Sequence, residues 1–204
     1  MINSKAYTDH DILYLLYRTS NKYNGLYEME IQSILYMLIL IRLFKEQKAT
    51  SNTRYNFIIK DRRPFSTEIN SSLKELNKLS MINEINGKYI IEESGINFLD
   101  KFKDFIIYRE NKIIIDILIY CLQKSSIVSL TYNIENETMV NDMNNQPTNR
   151  FLIDNNSTSI ELIYNDFDAL KSLFDDNNID IVALVSVWIQ YIIETNTEVN
   201  FDGD

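Results

Sequence analysis

Apolar residues recur at helical spacing through most of this chain, and the places where that rhythm breaks mark its turns. Ile12, Leu13, Leu15 and Leu16 make the first apolar face. A helix is expected to open after Thr8, with Thr8 and Asp11 as a capping-box-like pair, and to end at NKYNG near Gly25. The second helix, residues 28–47, is apolar on nearly every side, which predicts a central position with neighbours all round. A polar turn, KATSNT, follows at 48–53, and RYNFII at 54–59 reads as a short strand or an extended arm. Pro64 favours an extended Arg63. Ser66 is placed to cap a helix whose stripe is Ile69, Leu73, Leu76 and Leu79.

Next, SMINEI and KYIIEE flank Asn86-Gly87, a pair suited to the two positive-φ positions of a type I′ turn. A helix opening near Ser94 is expected to continue over 97–108 with Phe98, Phe102, Phe105 and Ile106 inward. Helix, hairpin, helix is the order of elements in a winged helix, with Asn86-Gly87 at the tip of the wing. A boundary is expected at Arg109-Glu110-Asn111, followed by the apolar helix KIIIDILIYCLQK. Residues 133–158, rich in Asn and Thr with Pro147 among them, read as a long flexible loop broken by a helical turn near Met139. Two helices, 159–175 and 180–194, precede a polar tail expected to fray.

Composition narrows this to one fold class. With 4 Gly and 2 Pro in 204 residues, the turns of a sandwich or barrel are lacking, and 45% hydrophobic residues suit a folded globule. The expected architecture is mainly α. A winged-helix domain with a small β-hairpin wing spans 1–109, and an acidic helical module spans 110–204. The longest apolar run, residues 34–41, is far short of the roughly 18 residues of a membrane span, and MINSKAYTDHD lacks the apolar core of a leader. The expected location is the cytoplasm, with no membrane partner.

Charge divides along the same line. Through Lys112 there are 17 Lys+Arg against 14 Asp+Glu, a balance of +3; beyond it, 3 against 15, a balance of −12. Such asymmetry suggests two modules with different partners. Catalytic chemistry has little to draw on. The single histidine, His10, is expected at the surface or in a cap, and the single cysteine, Cys121, in a buried apolar helix. The acidic pairs Glu92-Glu93, Asp166/Asp168 and Asp175-Asp176 read as solvated faces, and no phosphate-cradling glycine motif is present in the sequence. The reading is non-enzymatic, without metal or cofactor.

Two groups of residues remain as candidates for binding. Arg54, Lys60, Arg62 and Arg63 form a basic cluster which, with Lys74, Lys78 and Lys88, could line the outer face of helix and wing and touch phosphates. A DNA reader would use Thr67, Asn70, Ser71, Lys74 and Lys78 on its helix. Glu68, Glu75 and Glu84 make that face mixed, which favours protein contacts. In the last helix, Trp188 and Ile189 belong either to the core or to a partner interface.

The stretch from RYNFII through Pro64-Phe65-Ser66 to the helix at Gly95 resembles Panacea/SocA-like antitoxin domains. It is similar, too, to the small winged-helix middle component of three-component SMC-ATPase antiphage systems of the Lamassu kind. The likeness covers roughly residues 8–108. It implies a non-enzymatic subunit that bridges an SMC-like ATPase and an effector subunit, with the winged helix as the part that could touch DNA inside the complex. The alternative is a DNA-binding transcriptional regulator or antitoxin.

Overall fold

In a computed structural model, residues 4–46, 55–145, 152, 158–172 and 180–194 are described. Helix α1 (Ser4–Thr19) already runs through Thr8, which is buried inside the helix rather than at its start. Its early turns are held by packing: His10 stacks on Tyr108 at 3.9 Å, and Tyr7 meets the same ring edge-on at 5.5 Å. Strand β1 (Leu26–Tyr27) leads into α2 (Glu28–Glu46). Residues 34–41 of α2 are all buried, because helices cover it on several sides. The expected central helix is what the fold contains, and burying apolar side chains on every face of it contributes on the order of 2 kcal/mol for each large residue.

Where an arm or strand is expected, β2 (Ile58–Lys60) and β3 (Arg63–Phe65) pair as a hairpin, Ile58 opposite Phe65 and Lys60 opposite Arg63. Asp61 (φ 50°) and Arg62 (φ 64°) make its two-residue turn. A left-handed arginine is uncommon, and outside partners hold this one. Asn144 donates to its carbonyl at 3.2 Å, and its guanidinium reaches Glu135 at 2.8 Å.

Helix α3 (Thr67–Lys78) opens on Ser66, whose hydroxyl accepts from the Ile69 amide. Ile69, Leu73 and Leu76 point inward as the stripe predicts, but Leu79 lies past the last helical turn and is 55% exposed. Strands β4 (Ile82–Ile85) and β5 (Lys88–Ile91) meet at Asn86 (φ 54°) and Gly87 (φ 78°), the turn that the Asn-Gly pair demands. Strand β1 adds to β5, giving the antiparallel order β1-β5-β4.

Helix α4 (Glu93–Lys101) lies so close to β4 that a Cβ at Gly95 would sit 2.4 Å from the Met81 carbonyl oxygen. The expected helix through 97–108 stops at Phe102. Phe102 and Phe105 pack ring to ring at 5.3 Å across the turn, and this leaves Phe105 and Ile106 at the surface. Helix α5 (Ile106–Lys124) then runs unbroken through Arg109-Glu110-Asn111, where a boundary is expected, and Asn111 is buried.

The expected loop over 133–158 begins as helix. After α6 (Ile127–Asn133), a 3-10 turn (Ile134–Asn136) leads to α7 (Thr138–Asn144), which buries Met139, Val140 and Met143. The apolar spacing is short, and Asn-rich composition hides it. Pro147 lies outside the described residues. Helices α8 (Thr158–Ser172) and α9 (Ile181–Glu194) close the structure. Phe167 stacks on Phe44 of α2 at 4.2 Å and meets Trp188 of α9 at 4.6 Å. Cys121 is buried as expected and accepts a hydrogen bond from Ser186 of α9. Among the described residues no single helix is long and apolar enough to cross a membrane.

Candidate functional site

The outer surface of α3, the β4-β5 hairpin and the β2-β3 hairpin holds most of the expected binding residues. They fall into two groups. Lys60 and Arg63 line a cleft of about 160 Å³ with Glu28, Met29, Gln32 and Phe65. Asn70 joins this group through Glu28, to whose carboxylate its amide donates at 2.6 Å. Lys74 and Lys78 line a different, shallow depression with Ser71, Glu75 and Leu79. Lys88 sits on the hairpin with its ammonium 5.0 Å from the Tyr27 ring. Arg54 lies outside the described residues.

The cations of this surface are largely engaged within the chain. Arg62 pairs with Glu135 from the 3-10 turn. Arg63 lies over the Tyr132 ring at 5.4 Å and reaches the Met29 sulfur at 3.2 Å. Lys60 covers the Phe65 ring at 4.4 Å. Lys5, from α1, binds Glu75 at 2.6 Å, and that contact raises the Lys5 pKa. The basic hairpin thus faces α6 and the 3-10 turn, tying the first half of the chain to the second. Between these charges the surface is apolar: Tyr27, Met29 and Ile85 are each nearly half exposed.

The local sequence explains how the pieces are held. Gln32 of α2 donates to the Ser66 carbonyl at 3.1 Å and accepts from the Ser66 amide at 2.9 Å. That double bond of a side-chain amide to one backbone residue fixes the start of α3 against α2. Glu30 accepts from the Tyr27 amide at 2.8 Å, which anchors β1 to the first turn of α2.

Trp188 and Ile189 are placed otherwise than an interface requires. Both are buried inside the chain, Trp188 against Phe167 and Ile189 fully enclosed. The apolar face of α9 is spent on the chain's own core, because α5, α6 and α8 all pack on it.

Two buried polar groups escaped sequence reading. His10 is fully enclosed, not superficial, beside a buried Asp11 to which Asn111 donates at 2.5 Å. The run RENK around Asn111 gives no sign of burial. Glu137 accepts from the Tyr36 hydroxyl at 2.6 Å and from the Val140 amide at 3.1 Å, capping α7 from inside the core. Burial raises its pKa to about 7, against those hydrogen bonds. Neither group opens to the surface. Among the described residues no group of three or more His, Cys, Asp or Glu is arranged to hold a metal.

No family model matches the chain, and neither a curated protein nor a solved structure is significantly similar to it.

Proposed function

We propose that this protein is a winged-helix accessory subunit that works by protein–protein contact, in a bacterial antiphage complex of an SMC-like ATPase and an effector. The order β1-β5-β4, with α1, α2 and α3 around it and a type I′ tip at Asn86-Gly87, supports the winged-helix reading. The observation that carries the docking role is the state of the basic cluster. Arg63 lies over Tyr132 and reaches Met29 of the same chain, and Arg62, though largely exposed, is paired with Glu135. Tyr27, Met29 and Ile85 of the same outer surface are nearly half exposed. A phosphate-binding surface presents its cations outward; a protein-docking surface presents apolar residues within a mixed-charge rim. The identity of the assembly follows the family resemblance over residues 8–108.

Co-expression with a coiled-coil ATPase encoded beside its gene tests this. The expected result is co-elution on size exclusion that survives reversal of both Arg62 and Arg63 to glutamate. No complex with such a neighbour would overturn it. A second reading has one observation of its own: Ser71, Lys74 and Lys78 are exposed together on α3. Under that reading the chain is a regulator, and a sequence-specific duplex would lose affinity and salt dependence on Lys74→Glu.

A further inference from the structure

A subunit that bridges two proteins needs a second contact surface, and α5 carries one at a distance in sequence from the wing. Ile106 is 82% exposed, Ile113 45% and Tyr120 49%, with Ile117 half-buried between the last two. These four residues recur at spacings of seven, four and three. At 100° per residue they share an arc of roughly 60° and a length of about 21 Å. Its inward faces are occupied by α1, α2 and α9, which all pack along it. The ridge is therefore a narrow seam of the coiled-coil type, left without a partner among the described residues.

Charge says what suits it. Arg109, Lys112 and Lys124 of α5, with Arg18 of α1 and Lys22 from the turn after it, lie around the ridge; its acids are Glu110 and Asp116 of α5 and Asp104 just before it. Five cations against three acids give a local +2 on a chain of net −9. Asp116 is already engaged, 2.6 Å from Arg18 and 3.0 Å from the Tyr14 hydroxyl, so it offers little to an incoming cation. A second copy would bring this same basic rim against itself in an isologous contact, which like charges oppose. A lipid surface would favour a broader apolar face than this seam.

We propose that the α5 ridge docks an acidic amphipathic helix of a partner protein. The inference rests on the bridging role and gives that role its second surface. Leucine-type knobs on the incoming helix would seat between Ile106, Ile113, Ile117 and Tyr120, and its flanking carboxylates would face Arg109, Lys112 and Lys124.

The test uses the full chain and a designed stapled helix of about 18 residues, matched to the ridge in length. Leucines follow the seven- and four-residue spacing with glutamates beside them; a control replaces every glutamate by lysine. Anisotropy of the labelled helix and backbone NMR shifts are read. The expected result is at least about tenfold tighter binding of the acidic helix, with shifts centred on α5. Ile113→Asp and, separately, Lys124→Glu should each weaken it, about tenfold for the first. Equal binding of both helices, shifts confined to other elements, preference for anionic vesicles, or dimerisation of the chain through Ile113 would each overturn the proposal. An ATPase complex that forms while the acidic helix fails to bind overturns this inference alone. Binding of the helix at α5 without any ATPase complex overturns the bridging role alone.

Discussion

At the scale of single residues, Glu137 joins sequence to stability most directly. Its carboxyl lies in the core between α2 and α7, with Asp166 of α8 as a further unfavourable charge, and its pKa stands at about 7 against an ordinary 4.5. The folded chain therefore holds a proton that the unfolded chain has released between those two values. Stability falls as pH rises across that window, by roughly 3 kcal/mol in total. Urea midpoints measured at pH 5 and pH 8 should show the fall in the wild type and a much smaller one in Glu137→Gln; equal slopes would contradict the assignment. Ser66 is a plainer case. Removing its hydroxyl in Ser66→Ala should cost about 1 kcal/mol, the ordinary loss of an N-cap, readable as a lower urea midpoint with unchanged m. Ser66 was legible from the chain because capping is local: a hydroxyl, an extended residue before Pro64's neighbour, and an apolar stripe after it. Glu137 and His10 were not, because burial of a polar side chain is decided by elements far away in sequence, here Tyr36 and Tyr108.

At the scale of elements, what repeats every three or four residues was readable and what depends on a meeting of two segments was not. The α2 core, the α3 stripe and the Asn86-Gly87 hairpin follow from period and turn chemistry alone. The β2-β3 hairpin escaped, since its turn is Asp61-Arg62, a pair with no strong left-handed preference that Asn144 and Glu135 hold from outside. Leu79 continued the apolar spacing yet lies beyond the helix end, and Phe105 did the same across the break before α5. The 133–144 helices were hidden by asparagines interleaved with the inward-facing Met139, Val140 and Met143, several of them bonding to backbone carbonyls of the chain. Close approach between elements is testable at Gly95. A methyl there would meet the Met81 carbonyl, so Gly95→Ala should destabilise by roughly 1–3 kcal/mol through displacement of α4 from β4. A thermal midpoint unchanged from wild type would refute that packing. Trp188→Ala tests the core assignment of α9. The expected loss is about 3–5 kcal/mol, with no change in partner binding at a temperature where the variant remains folded.

At the scale of the whole molecule, the division of charge at residue 112 does not coincide with a break in structure. Helix α5 runs through it, and the basic hairpin reaches across to Glu135 and Tyr132. The two halves are joined by these contacts and by α2, which packs on α5, α6 and α8. An exposed pair such as Arg62–Glu135 contributes little by itself, so the Arg62→Glu variant should stay within about 0.5 kcal/mol of wild-type stability. That makes it usable for separating docking from phosphate binding. Among the described residues two surfaces remain available, the mixed face of α3 with the β4-β5 hairpin and the apolar ridge of α5, and the proposed bridging role would use both. The most direct test of the docking claim is hydrogen–deuterium exchange of the chain alone and in the presence of the SMC-like ATPase proposed as its partner. The account predicts slowed exchange across residues 67–91 on complex formation, without DNA present. Exchange there that is unchanged by the ATPase, and slowed only by a duplex, would contradict it.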